Sequence, residues 1–178
     1  VIYALLNNED LTATKAYRNH GIDEWISFVD YDLGRDGYAY EDWLSQDIHD
    51  EQGQWKVWNK GRKYRNDGVD IGGSAGGYFV SWTEPGEWLQ FTIQVPQAGE
   101  FKLELETKGA ASRLRMEIND EIKNDEIAIN TGSENSPGEW ATTTVNGIEL
   151  STGEHKIRFH IQEGAPDLRA FRLVSIRQ

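Results

Sequence analysis

The chain contains no cysteine, which excludes disulfide staples and thiol chemistry but leaves the compartment undecided. Positive charge is also scarce. With 18 Lys and Arg against 30 Asp and Glu, the formal net charge is -12, so phosphate backbones and anionic membrane surfaces are repelled, and nucleic acid is not an expected partner. No apolar run approaches the roughly 18 residues of a membrane span, so no membrane association is expected. The N-terminus lacks the basic-then-apolar pattern of a signal peptide, and the chain reads as one piece of something longer. Helical periodicity of ordinary length is missing too. No Gly-x-Ser-x-Gly, phosphate loop or zinc signature occurs.

What is present points to β-structure. At 178 residues the chain is about one domain, long enough to bury a core without metals or cross-links. Seven Trp, seven Tyr and eighteen Gly suit short strands, tight turns and surfaces that grip amphipathic ligands, although most of these rings serve equally well as large core pieces. Residues 1–22 open with Val1-Ile2-Tyr3-Ala4-Leu5-Leu6 and then turn polar; they are expected to be an extension or linker, with a β-sandwich over 23–178. Residues 25–32 read as a strand, and the turn Leu33-Gly34-Arg35-Asp36-Gly37 follows. Residues 41–63 form a long polar excursion carrying Trp43, Trp55 and Trp58, either functional or a lid.

The clearest pattern comes later. In Gly76-Gly77-Tyr78-Phe79-Val80-Ser81-Trp82-Thr83-Glu84-Pro85-Gly86-Glu87-Trp88, a glycine loop meets a short strand and a tight turn, after which Leu89, Phe91, Ile93 and Val95 alternate. Tyr78 can stand there as an open stacking platform or fold inward as core. Phe101, Leu103 and Leu105 alternate against Lys102, Glu104 and Glu106, and Leu114, Met116 and Ile118 repeat the period. Residues 142–150 and 155–161 read as the next pair, joined across Ser151-Thr152-Gly153, and 171–176 close the chain. Strands every 8 to 12 residues, with turns between them, predict an all-β fold: a two-sheet antiparallel sandwich of jelly-roll type.

The series Tyr64-Arg65-Asn66-Asp67-Gly68-Val69-Asp70-Ile71, Gly77-Tyr78-Phe79-Val80-Ser81-Trp82 and Gly86-Glu87-Trp88-Leu89-Gln90-Phe91-Thr92-Ile93 resembles the family 6 carbohydrate-binding modules. Thr131-Gly132 leading to Trp140, Gly153-Glu154-His155-Lys156-Ile157-Arg158 and Pro166-Asp167-Leu168-Arg169-Ala170-Phe171 extend the likeness to residues 26–176. The resemblance implies an extracellular jelly roll joined to a glycoside hydrolase, holding a polysaccharide or oligosaccharide unit between Tyr78 and Trp140. Asp167 stands where the family has an amide, usually Asn; a carboxylate only accepts hydrogen bonds, so hydroxyl recognition is altered. The family's structural calcium maps onto Ser27, Val29 and Arg169, a set without the oxygens the ion needs, and so neither metal nor cofactor is expected.

Carboxylates are abundant, but no two are singled out as a glycosidase pair. His155 and His160 lie five apart on a strand and point to opposite faces, which argues against a shared metal. A non-catalytic sugar binder is therefore expected. The alternative is a structural or protein-contact sandwich that has lost its sugar site, which Asp167 and the missing calcium ligands favour and which Gly77-Tyr78 and Trp140 oppose.

Overall fold

The computed structural model describes residues 10–44, 46–75, 77–129 and 138–176. The expectations resting on Val1-Ile2-Tyr3-Ala4-Leu5-Leu6, Gly76, Thr131-Gly132 and the 133–137 insertion lie outside them. The strands are β1 (Ile26–Ser27), β2 (Tyr40–Glu41), β3 (Ile48–His49), β4 (Trp55–Lys56), β5 (Ile71–Ser74), β6 (Gly77–Val80), β7 (Trp88–Val95), β8 (Gly99–Lys108), β9 (Arg113–Ile118), β10 (Glu121–Ala128), β11 (Ala141–Leu150), β12 (Gly153–Glu163) and β13 (Asp167–Ser175). Among the described residues there is no α-helix, only one 3-10 turn at Phe28–Asp30. One sheet runs β11-β8-β13-β6-β5 with β1 beside β13, the other β10-β9-β12-β7-β2, and β3-β4 form a separate ribbon. The fold is the antiparallel β-sandwich that the alternation predicts.

Phe101, Leu103 and Leu105 of β8, Leu114 and Met116 of β9, Phe91 and Ile93 of β7 and Ile157 and Phe159 of β12 are all buried between the sheets. Phe28, Phe91, Phe159 and Phe171 meet at the centre, with ring centroids 4.9–6.2 Å apart in edge or tilted contacts. This closes the core without cross-links.

Two readings of the strands need correction. The 25–32 stretch is a strand only at Ile26–Ser27, because the chain then coils to drop Phe28 and Val29 into the core. The 142–150 and 155–161 segments are not a hairpin: β11 pairs with β8 and β12 with β7 and β9, so the short connection crosses from one sheet to the other. Residues 10–22 lie against the outer face of the five-stranded sheet. Lys15 exchanges backbone bonds with Leu33, Gln94 donates to the His20 carbonyl, and the Thr14 hydroxyl accepts from Gln90 at 3.1 Å and Lys156 at 3.0 Å.

Beneath this segment Asp32 is fully buried, yet its carboxylate is satisfied by Gln90 Nε2 at 2.9 Å, Thr92 N at 2.8 Å and Thr92 Oγ1 at 2.7 Å. Arg65 ties the next loop to the same place. Its side chain is 5% exposed, pairs with Asp67 at 2.8 Å, and donates to the carbonyls of Tyr31 and Asp32. The guanidinium also lies over the Tyr31 ring, 3.5 Å from its centroid. Removing this charge strands Asp67 and two buried carbonyls, so Arg65→Met should cost about 3 kcal/mol. In urea unfolding, a loss under about 1 kcal/mol would contradict this role for the guanidinium.

A second electrostatic feature lies where residues 41–44 meet the turn before β7. Burial pushes Asp42 up to about 7, with Asp70 and Asp36 adding to it against the Leu44 N–H, and burial likewise pushes Glu87 up to about 8, with Asp42 and Glu84 reinforcing it. Both folded values exceed the ordinary 3.8 and 4.5, so the unfolded chain gives up these protons first. Stability from this source is full in acid and is lost as pH rises from about 4 to about 8. Melting temperature is expected to fall across that window, and Asp42→Asn with Glu87→Gln should flatten the fall; an unchanged slope would remove these carboxyls as its cause.

Candidate functional site

Tyr78 and Phe79 are consecutive on β6, so their side chains leave opposite faces of the sheet. Tyr78 is half-buried against the core and its ring meets Tyr64 at 5.2 Å between centroids. Phe79 meets Trp140 edge-on at 5.2 Å. The two rings named from the sequence are thus turned to different partners, and no ring contact joins Tyr78 to Trp140 among the described residues.

Around Trp140 the outer face of the six-stranded sheet supplies charge. Alternation along β8 sends Glu106 and Lys108 outward, and β13 brings Asp167 opposite Lys108. The Lys108 ammonium sits 4.8 Å from the Phe79 centroid, 5.0 Å from that of Trp140 and 3.1 Å from the Asp167 carboxylate. Arg169 lies over Trp140 at 4.7 Å and is held by Glu106 through contacts of 2.7 and 2.8 Å. Asp167 also accepts a bond from Ser81 Oγ at 2.5 Å. Two of the expected residues, Trp140 and Asp167, therefore share one partly exposed site, bridged by Lys108, and the third lies across the strand.

Lys108, Phe79 and Arg169 had no place in the sequence-derived site. The outward alternation of Lys102, Glu104, Glu106 and Lys108 contained the signal for the first. The site offers an aromatic ring, a carboxylate acceptor and an ammonium donor within one side-chain length, a set suited to hydroxyl-bearing ligands.

The calcium positions do not fit an ion. Ser27 Oγ donates to the Arg169 carbonyl at 3.4 Å, Val29 is buried in the core, and the Arg169 guanidinium is engaged with Glu106. One hydroxyl, an aliphatic chain and a cation cannot supply a multi-oxygen shell. Glu87, in the turn before β7, accepts the backbone N–H of Glu84 at 2.9 Å and so braces that turn. His155 faces the core side of β12, hydrogen-bonded to Asn119 and Ser151, while His160 faces outward beside Glu117.

With this geometry in hand, comparisons with known proteins agree on one description. The family described as carbohydrate binding module (family 35) matches residues 65–173. CsCBM6-3 from Clostridium stercorarium, solved with cellobiose, shares 12% identity over 89% of this chain and 98% of its own, with a TM-score of 0.56. CBM6cm-2 from Cellvibrio mixtus lichenase 5A, solved with cellotriose, shares 18% over 88% and 99%, at 0.54. A family 6 module from Clostridium cellulolyticum, solved with xylose, shares 8% over 88% and 100%, also at 0.54. At such identities these structures bear on the fold. No curated protein sequence matches the chain. The chain belongs to the family 35 carbohydrate-binding modules, built on the sandwich seen in those of family 6.

Proposed function

We propose that this chain is a non-catalytic module that binds polysaccharide outside the cell and keeps an attached glycoside hydrolase close to its substrate by raising effective concentration. Membership of the carbohydrate-binding family over residues 65–173 carries this reading. The site we favour is Trp140 with Asp167 and Lys108. A pyranose presents its C–H face to the indole while its hydroxyls donate to Asp167 and accept from Lys108, which offsets their desolvation. Tyr78, turned towards Tyr64, supplies a second aromatic surface on the other side of β6.

One observation favours a second reading, a protein-contact sandwich without a sugar site. Arg169, Lys108 and Phe79 already surround Trp140, and Asp167 is already paired with Lys108 and Ser81. A sugar that stacks on the bare indole face must displace part of that cage.

Affinity electrophoresis in xylan, mixed-linkage glucan, laminarin and agarose separates the two. The wild type should be retarded by at least one glycan, and Trp140→Ala should weaken that binding by about 2 kcal/mol, roughly 30-fold. Tyr78→Ala tests whether the tyrosine contributes to the same event. Retardation by none of the glycans, or a Trp140→Ala protein that migrates as the wild type does, would favour the protein-contact reading. Because the Ser27, Val29 and Arg169 set does not fit calcium, chelator should leave the melting temperature unchanged; a fall of several degrees would show an ion holding the fold.

A further inference from the structure

Strand β11 lies at the edge of the six-stranded sheet, and its pairing with β8 is interrupted once. Val145 faces Leu103 and Ile148 faces Phe101, so Asn146 and Gly147 together stand opposite Lys102 and neither has a ladder partner. This is a β-bulge. Gly147 holds φ at 76°, in the left-handed region, while a β-carbon there would meet nothing within 4 Å. The constraint at this position is therefore the backbone angle, not space. On either side the strand is anchored, because Val145 packs on the core and Ile148 is buried. Asn146 between them is exposed, and its side chain makes no hydrogen bond or ion pair among the described residues.

A side-chain amide followed by glycine is a reactive pair, since no β-carbon on the second residue hinders its backbone nitrogen from approaching the first residue's Cγ. Of the ten asparagines in the chain, only Asn146 precedes a glycine. Two aspartates do so as well, Asp36 and Asp67, but the fold engages both halves of each pair. Asp36 accepts the Asp42 N–H at 3.1 Å, and Gly37 N donates to Tyr40 O at 2.7 Å. Asp67 is held by Arg65 at 2.8 Å and by the Tyr31 hydroxyl, and the buried Gly68 N donates to the Tyr40 hydroxyl at 3.3 Å. The Asn146 carboxamide has no such restraint.

We propose that Asn146-Gly147 is a self-modification site, where the folded chain deamidates through a cyclic imide without an enzyme. The Gly147 nitrogen gives up its proton and attacks Asn146 Cγ; the bond from Cγ to the amide nitrogen breaks, and that nitrogen leaves as ammonia with the proton. Water then opens the five-membered ring. Cleavage between Cγ and the Gly147 nitrogen leaves aspartate on an ordinary backbone, whereas cleavage at the Asn146 backbone carbonyl leaves isoaspartate, with the chain now running through Cγ. Water is the sole co-reactant, and nothing is oxidised or reduced. Either product adds a negative charge to a chain already at -12. Isoaspartate also lengthens the main chain by one methylene, at a place where the ladder is already broken and on the strand that follows Trp140.

The test holds the chain in warm, mildly alkaline buffer, once folded and once in urea, and follows every Asn-Gly and Asp-Gly pair by peptide mapping with fragment-ion sequencing. In the folded chain, exchange of NH2 for OH should appear at Asn146 before any other asparagine, with isoaspartate among the products, while Asp36 and Asp67 stay unisomerised. In urea all three pairs should react, because the restraints on the two aspartates are then gone. Gly147→Ala should slow the reaction at Asn146 about tenfold in urea, where the strain of the bulge plays no part. Asn146→Gln, on an exposed side chain, should leave the melting temperature unchanged and remove the modification from this peptide. An Asn146 that reacts in urea yet stays intact in the folded chain, earlier loss at another asparagine, a product free of isoaspartate, or an unslowed Gly147→Ala would each overturn the proposal.

Discussion

A guanidinium almost without solvent, that of Arg65, holds this molecule together outside its apolar core. It reaches the carbonyls of Tyr31 and Asp32, pairs with Asp67 and covers the Tyr31 ring, so one side chain joins the loop 58–66 to the segment that follows the 3-10 turn. Asp32 is in turn clasped by Gln90 and Thr92 of β7, and Thr14 joins the same network through Gln90. A buried charge of this kind contributes little net stability over an apolar replacement, but losing one partner is expensive. That asymmetry fixes the loop's position.

The sandwich was legible because its long strands are half-buried. β8, β9 and β12 each show an uninterrupted period of two, since one face meets the core and the other meets water. β7 is less clean. Gln90 and Thr92 are polar yet buried, because residues 10–20 and Asp32 cover its outer face, and sequence alternation cannot show what a distant segment covers. The short strands were harder still. β1 through β4 have two residues each, too few for any period, and the two-residue connection between β11 and β12 suits a hairpin as well as a crossing between sheets.

The arrangement of the candidate site was legible in part for a related reason. Tyr78 and Phe79 are both aromatic, and both are half-buried on a four-residue strand near the sheet edge, so composition alone could not say which ring joins Trp140. The answer depends on where β13 and β8 deliver Arg169 and Lys108, which is a matter of register between strands about sixty residues apart. Asp167 was easier to find, because its place beside Leu168-Arg169-Ala170-Phe171 at the start of the last strand is local. Its partners Lys108 and Ser81 are again long-range.

Cations over aromatic rings recur across the surface. Arg172 covers Trp25 at 4.4 Å, Arg158 covers Trp88 at 4.9 Å, and Arg169 and Lys108 flank Trp140. Such contacts contribute roughly 0.5–1 kcal/mol where exposed, so a ring covered this way remains available to a ligand that offers more. Trp140 is the guarded case. Glu106 grips Arg169 through two contacts, and Asp167 holds Lys108, so displacing either cation also breaks an ion pair. A sugar that slides beside the cations and uses their remaining N–H groups avoids that cost, whereas one that needs the bare indole face does not. If Trp140 takes the sugar as proposed, the ion pairs around the ring would therefore favour hydroxyl-rich ligands that approach at its edge over purely apolar ones.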